Sequence, residues 1–394
     1  MNIVLYVNSF LPHIGGRELV VHYLALSLSK LGHKVRIIGP GGWWRYRRID
    51  FGYPVYRYPL LVRDLPEFIK LAQLSLDVLL RGCDVIHAHV TYPCGYLAAR
   101  LKDVMRVPLV ITPHGADIHV IPEIGHGLRL NPLLEPKVAY ALSRADALTG
   151  ISGSVIASLK DAGAPAERIF PVPNGVDSER FDRGSAAAAR QWLNLSASAK
   201  LLVVVGNYHP RKGHEVVVRA LPSILEAEPE ARLVIVGRGN SEVLTPLVES
   251  LGLSDKVVCP GQVEFPLAAV GGADSARHPL DRLADLYAAA ETYISAGISE
   301  GAEGLSLALL EAMAAGLPPV ASNVSGNRDI VAHGENGLLV APGDVTGLAA
   351  AVLQMLGNTA DREKMARQAK SVALAFSWQA IAQQYVDIYQ SVSQ

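Results

Sequence analysis

The chain is short of cysteine, of aromatic residues, of long apolar runs and of net charge, and each shortage removes a class of protein. Only three cysteines occur in 394 residues, Cys83, Cys94 and Cys259, at spacings that form no metal motif. An odd, sparse count of this kind fits reduced thiols in a cytoplasmic protein rather than a disulfide framework. No uninterrupted apolar stretch approaches the ~20 residues of a membrane span, so any membrane contact is expected to be peripheral. The start, Met1-Asn-Ile-Val-Leu-Tyr-Val-Asn8, is broken by Asn8, Pro12 and His13, and it lacks the basic region and long apolar core of a signal peptide. A formal net charge of −1 gives no basic surface of the kind that binds nucleic acid. There is no internal repeat and no low-complexity tract. The G-x-G-x-x-G dinucleotide fingerprint is also missing, and with it the main support for a Rossmann-type oxidoreductase.

What is present is a large apolar fraction. Half of the residues are hydrophobic and 19% are charged, which excludes disorder, and 394 residues suit two α/β domains better than one. Short Val- and Ile-rich runs recur between helix-length segments: Ile3–Val7, Val35–Gly39, Asp84–His89, Pro108–Thr112 and Ala147–Ile151. A second set follows at Leu201–Gly206, Leu233–Gly237, Lys256–Cys259, Thr292–Ser295, Pro319–Ser322 and Leu338–Val340. Strands alternating with helices, twice over, predict two doubly wound parallel sheets, with ligands at the carboxyl ends of the strands and a cleft where the sheets face each other. The division falls between Val176 and Lys200, around Pro171, Pro173, Asn174 and Gly175, and gives domains 1–184 and 185–375.

Several expected strand ends carry residues with chemistry. Glu303-Gly304-Leu305-Ser306-Leu307 leads into a helix capped by Ser306 and stopped by Gly316 and Pro318. Glu303 then lies in the loop and Glu311 within the helix. Their eight-residue spacing keeps them off one helical face, so they read as two separate contacts along a ligand lying across the helix N-terminus. The amides of Leu305 to Leu307 point where a pyrophosphate could be held. Asn207-Tyr-His-Pro-Arg211-Lys212-Gly213 directly follows a strand, and its basic pair suits a departing nucleoside diphosphate without a metal ion. Pro12-His-Ile-Gly15-Gly16 permits close backbone approach to a phosphate or sugar, and Gly237-Arg238-Gly239 follows another strand. In Thr112-Pro-His114-Gly115-Ala-Asp117 the histidine can bond a sugar hydroxyl, and Asp117 can orient an acceptor hydroxyl or act as a base; a histidine that only caps the turn is the alternative. His87 and His89 sit on a buried strand, at least one of them as core packing, with no third partner at zinc spacing. Trp43-Trp44-Arg45-Tyr46-Arg47-Arg48, with Arg57, Tyr58 and Arg63 downstream, suits a headgroup-level surface or a sugar-phosphate acceptor, the alternative being an ordinary mixed loop. The loop Phe265–Pro279 is long for a strand–helix connection and marks a lid or an insertion.

With these residues in view the chain resembles the family 4 glycosyltransferases, retaining enzymes of the GT-B fold. Glu303 to Glu311 followed by Ala-Met-Ala-Ala-Gly-Leu-Pro is similar to the family's E-x7-E signature and its tail. Gly15-Gly16, His114-Gly115, Pro173-Asn-Gly-Val-Asp177, Lys212-Gly213, Ser325-Gly326 and Gly337-Leu-Leu-Val340 fall where the family has similar motifs. The resemblance runs nearly end to end. It implies two Rossmann-like domains facing across a cleft, an acceptor domain followed by a nucleotide-sugar domain, and a segment 376–394 that crosses back to the first. It implies that Glu303 contacts the donor sugar with the amides after it, Glu311 the ribose, Lys212 the diphosphate, Gly16 the phosphate and His114 the sugar. The nucleobase lies against Gly261-Gln262-Val263, with Arg238 close. By the same resemblance no cofactor or catalytic metal takes part, and the leaving phosphate helps deprotonate a glycan or lipid-linked acceptor in front-face transfer. Two departures stand out: Asn207 where the family usually has Arg, with Arg211 as the candidate substitute, and the length of Phe265–Pro279. A non-catalytic sugar-nucleotide binder is the alternative that Asn207 leaves open.

Overall fold

A computed structural model describes residues 1–41, 50–59, 65–122, 125–263, 281–301 and 304–393. The described residues divide into two compact units, one running to Gly175 and resuming at Trp378, the other running from Val176 to Ser377.

The first unit holds a seven-stranded parallel sheet in the order β3-β2-β1-β4-β5-β6-β7. Its strands are β1 (Asn2–Val7), β2 (Lys34–Gly41), β3 (Val55–Pro59), β4 (Val85–His89), β5 (Leu109–Thr112), β6 (Ala147–Gly150) and β7 (Ile169–Pro171). The second unit holds a six-stranded parallel sheet, order β10-β9-β8-β11-β12-β13. These strands are β8 (Lys200–Val205), β9 (Ala231–Val236), β10 (Val257–Gly261), β11 (Thr292–Ser295), β12 (Pro319–Ser322) and β13 (Leu338–Val340). In both sheets the chain starts at a central strand, winds outwards and then reverses on the other side. The reversal falls between β1 and β4 in one sheet and between β8 and β11 in the other. Such switch points open a crevice beyond the carboxyl ends of the strands, because the helices on either side diverge there.

The apolar runs form strands because both of their faces are covered. In the second sheet Leu201 and Val203 pack into one cluster with Leu309, Leu310 and Met313, while Leu202 and Val204 pack into another with Val217, Leu221 and Leu348. Two strands were not foreseen, β3 and β7, and both are edges. An edge strand needs fewer ladder bonds, so it tolerates prolines such as Pro59 and Pro171 that read as breakers in the sequence.

The terminal helix Trp378–Val392 belongs to the first unit and packs against the helix Gly16–Lys30. Trp378 stacks on Tyr23 with centroids 5.6 Å apart, while Ile381, Tyr385 and Tyr389 are buried. Each such side chain contributes roughly 1.5–3 kcal/mol of burial, enough to fix a helix that follows nearly four hundred residues of chain.

Candidate functional site

The first unit gathers three turns at the carboxyl edge of β1, β4 and β5. Asp117 holds two of them together. Its Oδ2 accepts from the Thr91 amide at 2.7 Å and its Oδ1 from the His114 amide at 2.8 Å, while the Thr91 hydroxyl donates to its carbonyl at 2.8 Å. Burial raises the Asp117 carboxyl, against these amides and the Arg17 charge, to a net value above the usual aspartate range. With both oxygens committed to backbone donors and only 5% exposure, Asp117 braces the loop that carries His114. The expectation was a base or an acceptor-orienting group; what the described residues show is bracing, with one amide on each oxygen of a buried carboxyl.

His114 is half-buried, with its Nε2 3.1 Å from His89 Nδ1 and the two rings stacked at 5.4 Å. His87 lies two residues before His89 on the same strand face, its ring centroid 4.1 Å away. Its Nδ1 meets the Tyr389 hydroxyl at 2.7 Å and its Nε2 the Thr112 hydroxyl at 2.6 Å, so His87 is the structural member of the pair. Burial, reinforced by the neighbouring rings or by Arg17, keeps all three imidazoles neutral. His89 is held down to about 3, and His87 and His114 well below the ordinary histidine value.

Gly15 caps the helix Gly16–Lys30. A Cβ on Gly15 would lie 2.5 Å from Glu18 Oε2, whereas one on Gly16 would meet nothing within 4 Å among the described residues. Outside access is therefore a property of exposed Gly16, while Gly15 makes room for Glu18. Glu18 is only 3% exposed and bonds Arg17 at 3.1 Å. Burial raises its carboxyl, but Arg17, Ser9 and backbone donors together hold it below the usual glutamate range. Sequence reasoning passed over Arg17 and Glu18. The available signal was the acidic residue at the third helical position, a capping feature.

In the second unit the turns after β8, β9 and β11 interlock through bare backbone. Gly213, at φ 64, presses on the Ala296 carbonyl, from which a Cβ would stand 2.0 Å. Gly237, at φ 140, presses on the Gly206 carbonyl in the same way, again at 2.0 Å. Only glycine combines a positive φ with so close an approach. Gly206 also leaves space for Lys212, whose ammonium would stand 2.7 Å from a Cβ there. Lys212 is thus folded over the end of β8. Asn207 accepts the Arg238 amide on its Oδ1 at 2.9 Å, so the residue that replaces the usual arginine pins the β9 turn. The Arg211 carbonyl takes the Ile298 amide at 3.0 Å, and its side chain is half-buried; Arg238 is exposed. Gly261 accepts from the Gly237 amide at 2.9 Å, which brings the ends of β9 and β10 together, and Val263 packs on the core beside them.

The helix Leu307–Ala314 starts where the sequence placed it, with Ser306 at the N-cap. The Ser306 side chain makes no capping bond among the described residues; the helix is started by its carbonyl, which accepts from the Leu310 amide at 3.3 Å. The amides of Ser306 to Leu309 are left outside the helical ladder, beyond β11. Gly304 and Leu305 precede them. Glu303 lies outside the described residues, as do Trp43, Trp44, Arg45, Arg47, Arg48 and the loop Phe265–Pro279.

Glu311 is 7% exposed and sits in a cluster that sequence reasoning did not find. Tyr287 donates its hydroxyl to Glu311 Oε2 at 3.4 Å and lies as near the Ala308 carbonyl, at 3.3 Å. Arg180, bonded to Asp281 at 2.7 and 3.0 Å, supplies the nearby positive charge. Burial dominates, and the Glu311 carboxyl is pushed up to about 7 despite Arg180 and Tyr287. These partners are 24 to 131 positions away in the chain, beyond the reach of a local motif. No group of three or more His, Cys, Asp or Glu among the described residues is arranged to hold a metal ion. No helix among them is long and apolar enough to cross a membrane.

This architecture is the GT-B fold of nucleotide-sugar transferases. HepE of Anabaena, solved in complex with UDP and glucose, superposes with a TM-score of 0.80 at 22% identity, over 99% of this chain and 100% of that one. Residues 14–180 match the family described as Glycosyltransferase Family 4, and residues 199–358 the family described as Glycosyl transferases group 1. The N-acetyl-alpha-D-glucosaminyl L-malate synthase of Bacillus anthracis is 28% identical over 397 residues, covering 97% of this chain and 95% of its own. The D-inositol 3-phosphate glycosyltransferase of Streptosporangium roseum is 31% identical over 78% of this chain and 69% of its own. The chain belongs to the family 4 glycosyltransferases.

Proposed function

We propose that the chain is a retaining transferase that moves a sugar from a nucleoside diphosphate sugar, UDP-linked ahead of GDP-linked, to a glycan or lipid-linked acceptor. The observation that carries this reading is the glycine-built edge of the second sheet. There the Lys212 ammonium and the outward amides of Ser306 to Leu309 stand beyond neighbouring strands, β8 and β11. A cation and a helix N-terminus side by side suit a diphosphate that gains negative charge as it leaves. The HepE complex with UDP and glucose supports the choice of nucleotide.

In this reading Lys212 and the helix amides hold the diphosphate, Glu311 takes the ribose hydroxyls, and Gly261 to Val263 with Arg238 border the base. Glu303 and His114 contact the sugar and Gly16 its phosphate. No carboxylate serves as base; the leaving phosphate takes the acceptor proton. Turnover then needs no metal and persists after chelation. The setting is cell-surface polysaccharide or glycolipid synthesis at the inner face of a membrane, with Trp43, Trp44, Arg45, Arg47 and Arg48 as the peripheral contact. Flotation with anionic liposomes tests that contact.

A thermal-shift screen of nucleotide sugars tests the donor directly, because a ligand that binds the folded state alone stabilises it by mass action. UDP-sugars are expected to raise the melting temperature of the native chain more than that of Lys212→Ala at the same ligand concentration. Equal shifts in both proteins, or none with any nucleotide, overturn the reading.

A further inference from the structure

At least one of His87 and His89 was read from sequence as core packing, and for His87 that suffices, since both of its nitrogens have hydroxyl partners. His89 differs. Its ring is fully buried, Nδ1 is bonded to His114 Nε2, and Nε2 is buried with no partner among the described residues. Resting on the reading of His114 as a sugar contact, we propose that His89 is a positioning residue. It donates from Nδ1 to His114 Nε2 and so holds His114 in the tautomer that presents an Nδ1–H to a sugar oxygen.

Each neutral ring carries one N–H, so the bond between them has two possible senses. If His114 donated, the His89 proton would sit on Nε2, a buried donor without an acceptor, which folded proteins rarely tolerate. If His89 donates, its Nε2 is bare. The Arg17 guanidinium is the charge acting on this ring, and its own Nε is buried and without a partner among the described residues. A positive charge favours a lone pair facing it and opposes an N–H. An arginine nitrogen is also always a donor, so a bare nitrogen is the complement it needs. Burial and charge thus favour the same sense. His114 then keeps its proton on Nδ1, the nitrogen left over from the pair, and acts as a donor rather than a base. Asp117 fixes where the ring stands and His89 fixes which nitrogen carries hydrogen.

Nitrogen-15 spectra of histidine-labelled full-length protein read the tautomer without any ligand, with His114 assigned from His114→Gln. The expected spectrum has His114 protonated at Nδ1 and bare at Nε2; the opposite assignment overturns the proposal. Two variants separate positioning from packing. His89→Asn keeps an N–H at the place of Nδ1, whereas His89→Leu keeps bulk without a donor. His89→Asn should retain both the tautomer and the hydrolysis of the UDP-sugar selected by the thermal-shift screen. His89→Leu should lose the tautomer and about tenfold in kcat, the worth of one hydrogen bond, with KM little changed. Equal losses in both variants with the tautomer unaltered would mean packing alone and overturn the proposal. Unchanged hydrolysis in His114→Gln overturns the sugar contact itself, separately from the tautomer.

Discussion

The two sheet edges are built by opposite means. In the second unit backbone rests on backbone: Gly213 on the Ala296 carbonyl, Gly237 on the Gly206 carbonyl, with Lys212 laid over Gly206. In the first unit side chains do the joining: Asp117 across two turns, His89 onto His114, His87 onto Tyr389. The backbone-built edge sets the Lys212 ammonium near the helix-start amides of Ser306 to Leu309 and so suits a ligand rich in anionic oxygen, whereas a side-chain edge offers a few fixed groups of set polarity. The contrast is the one the proposed function calls for, with the diphosphate assigned to the second unit's edge and a sugar contact to the first unit's His114.

The comparison breaks hardest at a glycine. Gly213→Ala forces a Cβ against a carbonyl at a positive φ and is expected to cost about 3 kcal/mol, read as a lowered denaturation midpoint. Next comes Glu311. Its carboxyl is raised to about 7 in the fold from an ordinary 4.5, so its protonated form adds stability that is complete below 4.5 and lost as pH rises through 7. Glu311→Gln should be more stable than the parent at pH 8 by about 3 kcal/mol, yet bind nucleotide more weakly. The ionised carboxylate is the stronger acceptor of two ribose hydroxyls, so parent affinity should fall as pH drops below 7 while that of Glu311→Gln stays flat by calorimetry. Lys212→Ala should lose about 2 kcal/mol of diphosphate affinity, roughly thirtyfold, by calorimetry. The smallest effect sharpens the first unit. Asp117→Asn sets an amide N–H against a backbone N–H and should cost about 1–2 kcal/mol of stability. Its kcat should stay within about tenfold, where loss of a true base would cost a hundredfold or more.

The second unit was the more legible in sequence because glycine, lysine and a helix start are local signals. Lys212-Gly213 and Ser306-Leu307 stand beside the strands that aim them. The first unit was less so. Asp117 was found, but its role depends on Thr91, twenty-six positions earlier, and His87 depends on Tyr389, three hundred and two positions on. Glu311 lay between these cases: its place in the helix followed from periodicity, while its raised carboxyl needed Tyr287 and Arg180. Edge strands β3 and β7 escaped notice because prolines that signal turns are harmless where one ladder is missing.

The most direct measurement is a crystal structure of the full chain soaked with a UDP-sugar. The account predicts the diphosphate within hydrogen-bond reach of the Lys212 ammonium and the amides of Ser306 to Leu309, with the ribose on Glu311. A nucleotide bound elsewhere, or a diphosphate that leaves Lys212 and those amides untouched, would contradict it.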